Sequence, residues 1–299
     1  MYPIENIIRK LNYKADQRLN ILLANDADEN YISRLCELPH NFYLIEPKWE
    51  FSTVPPNLKL FTQGERAFDL AIAFDRVNGY QKGLQICNAS HLPLIVVDMA
   101  SLMLKVPRPF FTNVNVKPDV ELLQFCGNVS VGSTSSISES WNSQFTNLST
   151  TISIPATPFV SNGSKILLDE SLPKPYIGTL PIKIDDRFTT NKEEVAAYLH
   201  LWQSPTPLMI DAMASRLPVI TFRGPDMTEI MEARACIVVE DIKHISDPKF
   251  LEQLLTIDHL QEVLDNAQNF VKDNTYETFI TKWRRVLQYT SRQIYIRGR

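Results

Sequence analysis

The chain has 299 residues, with 34 acidic and 30 basic side chains for a formal net charge of −4, and 44% hydrophobic against 21% charged residues. That balance excludes a largely disordered chain and a dedicated nucleic-acid coat protein, and the length suffices for two sizeable cores. The four cysteines, Cys36, Cys87, Cys126 and Cys236, are dispersed, without a C-x-x-C pair or clustered histidines, so they read as core thiols in a reducing compartment.

Residues 1–18 carry a short amphipathic pattern, Ile4, Ile7, Ile8 and Leu11, with Arg9, Lys10, Lys14 and Arg18 on the polar side, which reads as a surface helix. There is no charged-then-apolar leader and no apolar stretch near the roughly eighteen residues that a membrane helix requires. A cytoplasmic protein is expected, and the sequons at Asn88, Asn128, Asn147 and Asn162 are then incidental.

Leu19–Ala24 is the first strand, and the polar turn Asn25-Asp26-Ala27-Asp28 caps a helix to about Leu38. Strands follow at Asn41–Ile45, Phe68–Phe74, Leu94–Asp98, Val129–Gly132 and Thr151–Ile154. Helical segments alternate with them near Gly79–Ala89, Pro118–Phe125 and after Ser133 or Ser135. This alternation predicts a mostly parallel, doubly wound, Rossmann-like sheet, although no G-x-G-x-x-G is present. An open sheet of this kind presents its ligands to the carboxyl ends of its strands. There the chain places Asp75, Asp98 and the run Gly132-Ser133-Thr134. Asp75 and Asp98 read either as ligand-facing carboxylates or as caps of the segments that follow.

Pro155, Pro158, Pro173 and Pro175, with Ser161-Asn162-Gly163-Ser164 among them, mark residues 156–175 as a linker between a first domain, 1–155, and a second, 176–275. Second-domain strands are expected near Ile166, Tyr176, Val195, Val219 and Ile237. Residues 276–299 form a last helix and basic tail. Its apolar stripe, Phe279, Trp283, Val286 and Leu287, calls for a partner surface. The basic residues there, Arg284, Arg285 and Arg292 among them, read as a solvated face or as a phosphate-backbone contact.

The most informative run is Glu193 to Asp241, which parses as a βαβ unit. Val195–Leu201 is a buried strand and Trp202–Thr206 a loop. Leu208–Arg216 is a helix, with Thr206 as N-cap and Pro207 in the first helical position, and Pro218–Phe222 is a second strand. A βαβ unit of this kind is suited to a nucleotide, whose anionic part a helix start favours.

The segment resembles the donor-binding motif of retaining glycosyltransferases with the GT-B fold. In that family two acidic residues eight positions apart frame the loop and helix before an E-A-M-A segment. The matching positions are Gln203 and Asp211, the latter opening Asp211-Ala212-Met213-Ala214, with Leu217-Pro218-Val219-Ile220 as the following strand. Ser215 and Arg216 stand where the family has a glycine. Glu229 matches an acidic family position, but Asp226-x-x-Glu229 is also the spacing of a capping box.

The resemblance implies two Rossmann-like domains, the second reduced, that move a sugar from a nucleotide-sugar donor, UDP-linked by expectation, to an acceptor hydroxyl with retention. It implies Asp98 and Gln203 as catalytic residues, to which Asp75 is added from its strand-end position, and Ser204, Pro205, Thr206, Asp211 and Gly224 at the donor. The basic pair that grips the diphosphate in the family has no matching positions here, so Lys183, Arg187 and Arg223 are donor-binding candidates by their charge alone. Relatives with this fold manage without a catalytic metal, so neither metal nor other cofactor is expected. The acceptor is a saccharide, a small molecule or a hydroxylated DNA base. A DNA-base acceptor would make this a compact phage-type enzyme of the host cytoplasm, with Arg284, Arg285 and Arg292 on the nucleic acid. The alternatives are a nucleotide-sugar epimerase and a non-catalytic nucleotide-sugar-binding or interaction protein.

Overall fold

The computed structural model describes residues 18–24, 29–45, 53–61, 68–74, 92–98, 127–133, 135, 138, 148–168, 185–201, 205–223, 227–240, 244–245, 247, 249–256 and 258–297. The helices expected over 1–18, 79–89 and 118–125 lie outside these residues, as does the strand near Tyr176.

The first half builds a seven-stranded sheet from β1 (Asn20–Leu23), β2 (Asn41–Leu44), β3 (Leu58–Leu60), β4 (Leu70–Ala73), β5 (Leu94–Asp98), β6 (Gly127–Gly132) and β7 (Leu148–Thr151). Its order is β3-β2-β1-β4-β5-β6-β7 and each pairing is parallel. Alternate residues face opposite sides. Ile21, Leu23, Leu70, Ile72 and Phe74 join one core, whereas Leu22, Ala24, Ala71 and Ala73 join the other. Burial on both faces explains why these strands read as continuous apolar runs. The exception is β3, whose Lys59 and Leu60 are exposed at the sheet edge. No alternation betrayed it.

The second sheet has the order β12-β11-β10-β8-β9, again parallel, from β8 (Lys165–Leu167), β9 (Phe188–Thr189), β10 (Val195–Leu199), β11 (Val219–Thr221) and β12 (Ile237–Val238). Relative to chain order this is a 2-1-3-4-5 arrangement, and its strand order reverses between β8 and β10. The strand expected near Ile166 is β8, so the connection between sheets ends at residue 164, well before Pro175. That connection is bonded along its length. The amide of Phe159 donates to Ser215 Oγ at 2.8 Å, Ser161 Oγ bonds both the N–H and the carbonyl of Val195, and Asn162 donates to the Glu193 carbonyl. Gly163 passes so close to the Glu194 backbone that a Cβ there would overlap it.

Helix α1 (Glu29–Leu35) follows β1, and α2 (Pro207–Ala214) follows β10. The short α3 (Thr228–Glu232) follows β11, with α4 (Phe250–Leu255), α5 (Leu260–Val271) and α6 (Tyr276–Arg297) completing the described helices. Buried Val263, Ala267 and Val271 make an i, i+4, i+8 stripe on α5. On α6, Phe279, Trp283 and Leu287 are fully buried. The Phe279 ring lies edge-on to Tyr31 of α1 at 5.7 Å, and Tyr31 in turn meets Phe74 at 5.9 Å. Each such side chain stabilises the fold by roughly 1.5–3 kcal/mol through burial alone. The last helix therefore belongs to the core of the first sheet. Cys36 and Cys236 are buried, and burial pushes both thiols up to about 12, well above reactive range. Among the described residues, no helix is long and apolar enough to cross a membrane.

Two side chains join the halves from inside. Arg34, in the last turn of α1, sends Nη2 to both carboxylate oxygens of Asp211 on α2, at 3.0 and 2.9 Å, and its Nη1 donates to the Pro155 carbonyl. The Thr157 amide adds a bond of 2.7 Å to Asp211 Oδ1. Arginine and carboxylate are both almost wholly buried, with side-chain exposures of 6% and 5%. Burial pushes the Asp211 carboxyl up, against the opposing pull of the Arg34 charge and the Thr157 amide.

Helices α2 and α3 end alike. Leu217 N–H bonds the Ala212 carbonyl while Arg216 N–H bonds that of Met213. Ala235 and Arg234 do the same to Ile230 and Met231. This closure requires a left-handed residue, and Arg216 (φ 59°) and Arg234 (φ 53°) adopt it where glycine is the unstrained choice. Arg216 is retained by bonds to Asp265 and Gln268 of α5. Among the described residues, the Arg234 side chain has a 3.7 Å exposed contact with Glu262, while its carbonyl accepts from Asn266 at 3.5 Å, a bond that glycine would keep.

Two outcomes follow from these contacts. Arg234→Gly should raise the unfolding free energy by about 0.5–1 kcal/mol in urea titrations, because relief of roughly 1–2 kcal/mol of left-handed strain exceeds glycine's entropic cost of about 0.4–1. For the buried pair, Asp211→Asn or Arg34→Met alone should cost about 3–5 kcal/mol by stranding a partner. The double change Arg34→Met with Asp211→Leu should recover much of that loss.

Candidate functional site

Carboxyl ends of both sheets converge on one cleft. In the second sheet, β10 leads through His200 and Leu201 toward α2, and the α2 start is built as the sequence predicts: Thr206 caps it, its Oγ1 accepting from Met209 N–H at 3.2 Å, and Pro207 is the first helical residue. The Tyr198 hydroxyl lies 3.2 Å from His200 Nδ1 and 3.4 Å from Thr206 Oγ1, all three side chains buried. This network fixes both ends of the loop that carries Gln203 and Ser204, which themselves lie outside the described residues, as do Asp75, Lys183 and Gly224.

Capping limits what the helix start can offer an anion. Pro207 has no N–H, Met209 gives its own to Thr206 Oγ1, and Ile210 bonds the Thr206 carbonyl. Of the first-turn amides, only that of Leu208 has no partner among the described residues. A diphosphate would thus depend on side-chain cations.

The expected cations separate sharply. Arg223 follows β11 at the carboxyl rim and pairs with Glu240 at 3.0 Å, both side chains about three-quarters exposed at 73% and 70%. An exposed pair of this kind is worth less than about 1 kcal/mol, so Arg223 can turn to a ligand at small cost. Arg187 precedes β9, at the amino edge of the same parallel sheet, with two bonds to Asp185 and a third to the Asp247 carbonyl. Donor binding by Arg187 would have to displace these partners.

A second finding concerns Asp211. Its helical position is the expected one, but the carboxylate faces the first sheet and the connection, where Arg34 and Thr157 occupy both oxygens. At 5% side-chain exposure it has no face for a ribose. The partner lies 177 positions away, and no local spacing reports it.

A third concerns Glu229. Helix α3 begins after Met227, one residue beyond the capping-box register, with no side-chain cap. Instead, Glu229 Oε2 crosses the cleft to accept the Ser135 amide at 3.0 Å.

Beside that contact is a cavity of about 180 Å³. Ser133 and Ser135, beyond β6, and Thr151 and Ser153, at the end of β7, form one wall, and Pro205, Ile210, Glu229, Phe270 and Asn274 lie across from them. Ser133 stands at a strand end that the sequence marks. The strand read at Thr151–Ile154 instead pairs at Leu148–Thr151, leaving Ser153 beyond the sheet, between buried Ile152 and Ile154. Asp98, the last residue of β5, is in register with Gly132 on the same edge. Among the described residues, no cluster of His, Cys, Asp or Glu could hold a metal ion.

No protein-family model matches the sequence, and no curated protein matches it. The fold does have solved counterparts. Anabaena HepE, in complex with UDP-glucose, superposes with a TM-score of 0.62 at 11% identity, over 91% of this chain and 100% of that one. A glycosyltransferase from Rickettsia africae gives 0.56 at 9% identity, covering 92% and 99%. A Listeria monocytogenes protein assigned as a UDP-N-acetylglucosamine 2-epimerase gives 0.53 at 8% identity, covering 93% and 97%. The chain thus has a Rossmann-like α/β architecture of parallel sheets that is shared with glycosyltransferases and with an assigned epimerase.

Proposed function

We propose that the protein is a glycosyltransferase that moves a sugar from a nucleotide-sugar donor to an acceptor hydroxyl in the cleft between its two sheets. The observation that carries this reading is the meeting of two parallel-sheet carboxyl edges on one polar cavity, in a fold whose solved counterparts include one holding UDP-glucose. Gln203, Ser204, Pro205 and Thr206 then border the donor from the β10–α2 loop. Arg223, beside Gly224, and Lys183 supply positive charge for the diphosphate as the bond to the sugar breaks and its electron pair leaves with the phosphate. Asp98 and Asp75 are the carboxylates assigned to catalysis in this reading. Donor and stereochemistry follow the motif resemblance: a UDP-linked hexose or pentose, transferred with retention, in a cytoplasmic enzyme that works without a metal.

Epimerisation of the donor is a second reading, favoured by the likeness to the Listeria protein. Incubation with a panel of nucleotide sugars separates the possibilities. Slow donor hydrolysis, with transfer when an acceptor is supplied, is the expected result. Interconversion of the sugars would replace the transferase with an epimerase, and binding without turnover would replace both with a non-catalytic nucleotide-sugar-binding protein.

The acceptor is a saccharide, a small molecule or a hydroxylated DNA base. The last of these is supported by the exposure of Arg284 and Arg285 on α6, the helix that also carries Arg292. If the acceptor is DNA, duplex affinity measured by fluorescence anisotropy should fall steeply with salt. Replacing Arg284, Arg285 and Arg292 by Ala should then flatten that slope and leave donor hydrolysis intact. Salt-independent binding would remove DNA.

A further inference from the structure

With Asp211 occupied by Arg34, Glu229 is the carboxylate that lines the cavity among the described residues. Its Oε2 is fixed by the Ser135 amide, and Oε1 has no partner among the described residues. Ile230, the next residue, is fully buried and anchors α3, so the Glu229 side chain is held at both ends. Across the cavity are the hydroxyl residues Ser133, Thr151 and Ser153. Thr151 already donates to Ser138 Oγ at 2.9 Å, so its oxygen presents acceptor capacity.

An ionised carboxylate accepts hydrogen bonds and repels anions. This cavity therefore disfavours a diphosphate and favours a neutral group rich in O–H donors. At about 180 Å³ it falls below the roughly 300–1,000 Å³ of sites for drug-sized ligands, which suits one ring in preference to an entire nucleotide sugar. The diphosphate is left to the rim, where Arg223 stands outside the cavity wall. We infer that Glu229 binds a hydroxyl of the transferred sugar through Oε1, and so sets the cleft's preference for sugar-bearing over sugar-free nucleotide. This inference rests on the nucleotide-sugar reading of the cleft.

The test is calorimetric titration of the full chain, wild type and Glu229→Gln, with UDP-glucose against UDP and with GDP-mannose against GDP. Glutamine keeps the shape of the side chain and removes the charge, and circular dichroism reports whether the variant is folded. For the pair that wild type binds, Glu229→Gln should weaken the nucleotide sugar by about tenfold or more, the loss of a hydrogen bond to a charged group, and leave the free diphosphate within about twofold. Equal weakening of both ligands, or of neither, would overturn the role of Glu229 and leave the nucleotide-sugar reading standing. Failure of wild type to bind any of the four would overturn both. Should Glu229→Gln not fold, Glu229→Asp carries the same test, since it keeps the charge but withdraws it by one methylene, and the same selective loss is expected.

Discussion

The arrangement depends on a buried charge pair. Removing an arginine and a carboxylate from water costs several kcal/mol for each ion, and that cost is met only if every donor and acceptor finds a partner. Arg34 and Asp211 meet this condition jointly with Pro155 and Thr157, which means that α1, the connection and α2 must all be in place for any of the bonds to form. Hydrophobic burial could hold the two halves together in many relative poses. A buried ion pair with fixed geometry permits few, and the shape of the cleft follows from it.

Once Asp211 serves this purpose, the chemistry of the cleft has to come from elsewhere. A site whose helix start is largely self-capped by Thr206 and Pro207, and whose motif carboxylate faces inward, is less anionic and less anion-attracting than the sequence implies. Among the described residues, a wall of hydroxyls on the first sheet faces Glu229, and Arg223 is exposed at the rim.

The regular layers were legible because both faces of the central strands are buried, so runs such as Ile21–Ala24 and Val195–Leu199 are apolar throughout. The α2 start was legible because Thr206-Pro207 is a local signal that needs no partner. Two strands escaped notice for the opposite reason. Exposed β3 and two-residue β9 sit at sheet edges, where pairing is not accompanied by an apolar pattern. Of the site, sequence could identify the β10–α2 loop and the Gly132-Ser133 strand end. It could not show that Glu229 reaches Ser135, 94 positions away, or that Asp211 reaches Arg34, because side-chain direction across a cleft is decided by how two layers stack.

The position of α6 has a consequence for how the molecule is made. Tyr31 and Phe74 emerge early in synthesis, yet the aromatic surface that covers Tyr31 comes from Phe279 and Trp283, more than two hundred residues later. Non-local contacts of this kind delay folding, since the intervening loop must close before they form. Completion of the first sheet's aromatic core is therefore tied to a segment that follows the whole second sheet, which couples the two halves in folding.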